Sequence, residues 1–309
     1  AGLMADKAGA TLLPVRIDGA ALSIFSYLRH KVRRRWFPRV TVTLNAPQKV
    51  ELPADMPARE RRQRMSVQLY STMAEMEYRT TMEYIHRHAQ PGAKLLEVGA
   101  GTGRYSIALA REGYDVTALE LLEHNLAQLR QKSAGLSGLR AQQGDALDLS
   151  RFEDGEFDMT LVLGPMYHLY DPGEVRTAIR EAIRVTKPGG VMLFAFLSVY
   201  AIMGNNYLKG NFRYGFAENF SPDLRVLHFP EQLFTGYDIA EFEALFEGAP
   251  VTHLTTAAAD GILELAAGRR DYDLPDAEFE GWVRYHLATC EKRELLGHSS
   301  HLLYICRKN

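Results

Sequence analysis

The chain is expected to fold as α/β, with a parallel sheet carrying helices on both faces. Three observations predict it. From residue 91 onward, short apolar strand-like segments alternate with helical ones. A glycine-rich turn follows the first strand. A well-capped amphipathic helix precedes the fifth.

The elements can be justified in order. The first strand is KLLEV (94–98), and Gly99, Gly101 and Gly103 then break the chain ahead of a helix at 105–112. DVTALE (115–120) is the second strand and leads into a helix at 122–133; LRAQQ (139–143) and FDMTLVL (157–163) are the third and fourth. The helix at 172–186 has Asp171 as its cap, Pro172 at its first position and Glu174 to complete a capping box. Val175, Ala178, Ile179, Ala182 and Ile183 then recur at helical spacing. GVMLFAF (190–196) is the fifth strand. VTHLTTAAA (251–259) and HLLYICR (301–307), flanking a helix at 276–290, close the sheet at seven strands. Between the fifth and sixth strands lies an insertion, 197–248, rich in Phe and Tyr. Loops at the carboxyl ends of such strands form the ligand crevice, so this segment is expected to cover a substrate.

The first 90 residues differ in character. They carry 15 Lys and Arg against 8 Asp and Glu, whereas the remainder carries 21 against 30, within a total net charge of -2. TLLPVRIDGA (11–20) and RVTVTLNAP (39–47) are expected strands, with the basic run HKVRRRWFPR (30–39) between them. From Pro57 to Ala89 there is no glycine and no further proline, which predicts a long linking helix. Met65, Leu69, Met73 and Met76 share one face of it, whereas Tyr78, Met82 and Ile85 fall opposite. A stripe that changes sides predicts two helices joined near Glu77–Thr81, and hence two domains, 1–77 and 78–309.

Composition excludes several classes. The two cysteines, Cys290 and Cys306, form no C-x-x-C pair and no disulfide framework, so a reducing, cytoplasmic setting is expected and no metal. The longest apolar run, VMLFAFLSVYAIM (191–203), is too short to span a bilayer. RRRWF is one short cluster and is expected to be a solvated surface, not a nucleic-acid site.

The glycine turn resembles a nucleotide-binding turn, but Arg104 stands next to the third glycine and Glu97 two residues before the first. A carboxylate there suits a cationic ligand better than a pyrophosphate. S-adenosylmethionine carries an ammonium and a sulfonium and no phosphate. Glycines let the backbone approach it closely, and Glu97 then meets the cationic amino-acid end. Glu120, 21 residues after Gly99 at the end of the second strand, can accept from both hydroxyls of a ribose. Asp145, in GDALDL, is placed to accept from the adenine amino group. GPMYHL (164–169) would line the cleft beside the methyl group.

With EVGAGTGRYS, GDALDLS and LGPMYHL in that order, residues 78–309 resemble the class I S-adenosylmethionine-dependent methyltransferases. The ending YHLATCEKRELLGHSSHLLYICRKN resembles one bacterial group of them that acts on small molecules. The resemblance implies a Rossmann-like seven-stranded sheet, S-adenosyl-L-methionine as cofactor and a small-molecule methyl acceptor. It implies a cofactor site of Glu97, Gly99, Ala100, Gly101, Thr102, Gly103, Glu120, Leu121, Asp145, Ala146 and Leu163. Were the accepting atom to need a base, His168 or Tyr167 would supply it.

GLMADKAGATLLPVRIDGA and RRRWFPRVTVTL resemble instead the C-terminal end of a glycerolipid acyltransferase domain. That family's H-x-x-x-x-D and E-G-T-R-type motifs are absent here, so a non-catalytic partial α/β fragment is expected. A fusion of two unrelated pieces follows, and it leaves two rival readings: a cofactor-binding protein without turnover, and a remnant of an acyltransferase fusion.

Overall fold

The computed structural model describes 74–208, 210–263 and 276–309, together with the backbone of four short strands nearer the N-terminus. The chain divides into two compact units, Ala1–Gln63 and Arg64–Asn309. In the first, β1 (Thr11–Leu12) pairs antiparallel with β4 (Gln48–Lys49), and β2 (Val15–Asp18) with β3 (Thr41–Leu44). The first expected strand is thus two short pieces, β1 and β2; the second is β3, which pairs with β2, and β4 lies just beyond its expected end. The rest of the acyltransferase-like stretch, including its basic run, lies outside the described residues.

The second unit opens with α1, the helical residues 74–88, which run unbroken through the expected junction at Glu77–Thr81. Its change of face has a packing cause. Met76 packs with Leu263 and Val283, while Met82, Tyr84 and Ile85 join the main core, so the helix is covered on both sides.

The sheet contains β5 (Lys94–Val98), β6 (Asp115–Glu120), β7 (Leu139–Gln143), β8 (Phe157–Val162) and β9 (Thr186–Ser198), all parallel. It is completed by β10 (Gly236–Tyr237), β11 (Val251–Ala258) and β12 (His301–Lys308). The strand order is β11-β12-β9-β8-β5-β6-β7, with β10 added parallel to β9. β12 lies between β9 and β11 and runs antiparallel to both. β5 is buried along nearly its whole length, as a central parallel strand requires. The order reverses between β5 and β8, so the ligand crevice is expected outside their carboxyl ends.

The helices are α2 (Arg104–Arg111), α3 (Glu123–Lys132), α4 (Pro172–Val185), α5 (Val199–Leu208), α6 (Phe212–Asn219), α7 (Ile239–Ala244), α8 (Asp276–Thr289) and α9 (Arg293–Leu296). Asp171 caps α4 by accepting from the Gly173 and Glu174 amides at 2.7 and 3.2 Å. Glu174 is exposed and adds charge to the first turn, with no return bond. The five apolar positions foreseen on α4 are all buried. β9 starts four residues before the expected GVMLFAF, because Thr186 pairs with Phe157 and the register shifts before Met159 meets Val191.

The 197–248 insertion holds α5, α6, β10 and α7. It is anchored by the Phe196–Phe242 stack, with ring centroids 3.9 Å apart. Its outer part leaves Tyr200, Tyr207, Phe212, Tyr214 and Phe234 exposed.

Candidate functional site

Three glycines of positive φ form the turn after β5, and each meets a different neighbour. A Cβ on Gly99 would lie 2.7 Å from Pro165 Cδ, and one on Gly103 would lie 2.8 Å from Leu129 Cγ. These two glycines let the turn pack, against the loop after β8 and against α3. At Gly101 a Cβ would meet nothing within 4 Å. That α-carbon faces open space, as a turn shaped to let a ligand approach the backbone should. Ala100 is buried against Ala118 and Leu129, and Thr102 is half-buried beside it.

Glu120 holds the turn in place. Its Oε2 accepts from the Gly101 amide at 2.7 Å, and its Oε1 accepts from the Leu122 amide at 3.0 Å and from Asn125 Nδ2 at 3.3 Å. A carboxylate offers about four acceptor positions, so one remains for a ligand hydroxyl. Leu121, the next residue, is 54% exposed, an apolar surface beside that carboxylate.

Glu97 lies deeper than its expected role suggests. It is buried, and it accepts from both the Ser106 hydroxyl and the Ser106 backbone N–H in the first turn of α2. It therefore acts as a tertiary cap for a helix that has no side-chain cap of its own. Burial pushes its carboxyl up to about 7; the Ser106 hydrogen bonds oppose that rise and the charge of Glu120 adds to it.

Asp145 stands one residue beyond Gly144, whose amide donates to the Glu120 carbonyl at 3.1 Å. This places the Asp145 backbone beside the end of β6. Its Oδ1 accepts from the Leu147 amide at 3.0 Å, and Ala146 is buried. The loop is tied to α4: the Leu149 amide donates to Glu181, and Arg184 donates to the Leu149 carbonyl at 2.8 Å. Leu163 is buried at the end of β8, followed by a 3-10 turn, Pro165–Tyr167.

Tyr167 and His168 differ in what they can do. The Tyr167 hydroxyl donates to the Leu163 carbonyl at 3.0 Å, and burial raises its pKa, so it is held as a neutral donor. His168 is exposed at the surface, yet partial desolvation of its ring lowers its pKa despite the opposing charge of Glu120. Both rings contact Phe234 of the insertion, at 5.9 and 5.2 Å between centroids.

Two groups that sequence reasoning did not single out lie on the far side of Tyr167. Glu77 of α1 is half-buried, with its carboxyl raised by desolvation and within electrostatic reach of His301 and Asp260. His301 stands edge-on to Tyr167 at 6.3 Å. No signal in the sequence joins these positions, since the strand and helices that bring them together are far apart in the chain. Arg104 fixes the other end of α1 to the glycine turn, through the Ala74 carbonyl, Glu75 and the face of Tyr78. Among the described residues, no group of three or more His, Cys, Asp or Glu could hold a metal, and no helix is long and apolar enough to cross a membrane.

Residues 95–190 match the family model of a methyltransferase domain. A Bacillus subtilis protein named as a methyltransferase, YqeM, is 28% identical over 131 residues, covering 42% of this chain and 53% of that protein. The ubiquinone biosynthesis O-methyltransferase of Pseudomonas syringae pv. tomato is 34% identical over 125 residues, covering 38% and 52%. The protein of the same name from Methylococcus capsulatus is 31% identical over 136 residues, covering 41% and 56%. The chain spans about half the length of the curated relatives it matches. A solved structure of an S-adenosylmethionine-dependent methyltransferase from Methanosarcina mazei overlays 73% of this chain and 96% of that one, with 19% identity and a TM-score of 0.49. Residues 95–190 are thus similar to a methyltransferase domain.

Proposed function

We propose that this chain transfers a methyl group from S-adenosylmethionine to a small-molecule acceptor held under the 197–248 insertion. One observation carries the reading: Glu120, braced by the Gly101 amide, keeps an acceptor position beside a glycine whose outer face is open. The domain match spans the turn, both strand-end carboxylates, Asp145 and Tyr167, and relatives named for O-methylation in ubiquinone biosynthesis favour a small acceptor.

When bound, the cofactor supplies an electrophilic methyl on a sulfonium whose thioether leaves readily. The chain's own residues then provide alignment and a dry cleft. Glu120 accepts from one ribose hydroxyl through its remaining position, and Asp145 from the adenine amino group, with Leu121 and Ala146 against the ring. Gly99, Ala100, Gly101, Thr102 and Gly103 present backbone to the amino-acid part. Glu97 acts on the ammonium by its charge, through the helix turn it caps. Leu163 and Tyr167 border the methyl. The first 77 residues lack the H-x-x-x-x-D motif of the acyltransferases, so no acyl transfer is expected of them.

Calorimetric titration of S-adenosylhomocysteine into the full chain tests the reading. One-to-one binding that weakens at least tenfold in Glu120→Gln is expected. Absence of binding by the folded wild type would overturn it.

A further inference from the structure

α1 is clasped to the start of α2. Arg104 donates to the Ala74 carbonyl at 2.8 Å and to Glu75 at 3.0 Å, and its guanidinium lies over the Tyr78 ring at 4.5 Å. The Tyr78 and Tyr105 ring centroids are 5.3 Å apart. These contacts flank Glu77 and hold it beside the first turn of α2, into which the glycine turn leads. Among the described residues, Glu77 is faced by Arg104 and Tyr105 of α2, Tyr167 after β8, Asp260 after β11 and His301 at the start of β12. Tyr167 is tied to the end of β8 through the Leu163 carbonyl, and His301 pairs with Leu197 near the carboxyl end of β9. Glu77 thus stands over the carboxyl ends of the central strands, where the crevice opens.

Its carboxylate is left open. Both neighbouring cations are held by other groups, Arg104 by Glu75 and the Ala74 carbonyl, and His301 by Asp260 at 2.8 Å. No donor among the described residues hydrogen-bonds to Glu77. The buried polar atoms without a partner there are Thr80 Oγ1 and Trp282 Nε1, so the oxygens of Glu77 touch open space and not apolar packing. Burial raises the Tyr105 and Tyr167 phenols, which keeps both as neutral rings. A half-buried carboxylate with no donor, beside two such rings, suits a cation that has no N–H to give. A sulfonium is such a cation.

We propose that Glu77 meets the sulfonium of the cofactor, so that the site binds S-adenosylmethionine in preference to S-adenosylhomocysteine, whose sulfur is neutral. The proposal rests on the methyltransferase reading and adds to it a means of exchanging product for cofactor. With the ammonium toward Glu97 and the methyl beside Leu163 and Tyr167, the sulfonium falls on the side that Glu77 covers. The charge is lost from sulfur when the methyl leaves, and with it the attraction of Glu77. Desolvation raises the Glu77 carboxyl pKa, Asp260 adds to the rise, and His301 and Arg104 oppose it. A sulfonium alongside favours the ionised form. Binding S-adenosylmethionine therefore drives off a proton from Glu77 that binding S-adenosylhomocysteine does not.

The test titrates both ligands by calorimetry into the full chain and into Glu77→Gln. Both carry the same ammonium, carboxylate, ribose and adenine, so the ratio of their Kd values cancels what Glu97, Glu120 and Asp145 contribute. In Glu77→Gln the preference for S-adenosylmethionine should fall at least fivefold, while the Kd of S-adenosylhomocysteine changes less than twofold. Glu77→Asp, which keeps the charge, should recover part of that preference. An unchanged preference in Glu77→Gln, whether or not both ligands weaken, would overturn the proposal and leave Glu77 a structural part of α1. The wild type gives a second reading that no variant's folding can spoil. Titrated in buffers of high and low ionisation enthalpy between about pH 5 and 8, S-adenosylmethionine should release more protons than S-adenosylhomocysteine toward the acidic end. Equal release throughout would also overturn the proposal. Failure of the folded wild type to bind either ligand would instead strike the methyltransferase reading itself.

Discussion

Glu97 is a buried carboxyl whose pKa the fold raises from an ordinary 4.5 to about 7. Substituting it with glutamine tests both its cost to the fold and its role toward the cofactor. Between those two values the folded state holds a proton that the unfolded state has released. Stability therefore falls as pH rises through the window from 4.5 to 7 and levels off above it. At about 1.4 kcal/mol per pH unit, the shift amounts to about 3 kcal/mol. Glu97→Gln removes the ionisation and keeps an oxygen for Ser106. The variant should match the wild type near pH 4.5 and exceed it by up to about 3 kcal/mol at pH 8, read by urea unfolding at both values. Binding should show the opposite balance. A cationic ligand near Glu97 favours its ionised form, so the wild-type Kd for S-adenosylhomocysteine should rise about tenfold per pH unit below 7. The Kd of the variant should stay flat and be weaker at pH 8. A stability gap that is the same at pH 4.5 and 8 would refute the buried-charge argument. A gap that opens as described, with a wild-type Kd independent of pH, would leave Glu97 as a helix cap only.

The remaining predictions concern the turn and the scaffold. Gly103→Ala places a methyl group 2.8 Å from Leu129 at a φ of 87°, and should destabilise the chain by about 2 kcal/mol in urea unfolding. Gly101→Ala meets no atom, so its stability loss should be about 1 kcal/mol from backbone strain alone, while S-adenosylhomocysteine affinity drops at least tenfold by calorimetry. Equal affinity in Gly101→Ala and wild type would mean that the ligand does not approach that face. Asp171→Ala removes the acceptor for two amides at the start of α4 and should cost about 1 kcal/mol by thermal unfolding, without changing cofactor affinity.

Much of the second unit is legible in its residues because its signals are local. KLLEV, DVTALE and LRAQQ are strands with the expected ends, and α4 starts at the expected cap and buries the expected positions. The turn and Glu120 are similarly local, since a strand end, three glycines and a spacing of 21 residues describe them. What the pattern does not show is tertiary. The two-faced burial of α1 looks like a junction until Leu263 and Val283 are seen to cover the Met76 side. Glu97 has a capping partner nine residues away, so its carboxyl faces a helix turn. The Asp260–His301 pair spans 41 residues and exists only once β12 has paired, so no motif in the chain announces it.

The position of β12 also governs when the sheet can be finished. It is the last of its three strands in chain order, yet it lies between β9 and β11, and among the described residues it is the one strand with which β11 pairs. During synthesis, therefore, β11 emerges with no ladder to join and must wait some forty residues for its partner, leaving that flank of β9 bare as well. A nascent chain at that stage already holds the glycine turn and Glu120, while Asp260 still lacks its His301 contact. Chains stalled in that interval would expose two unpaired strand edges and be prone to pair edge to edge.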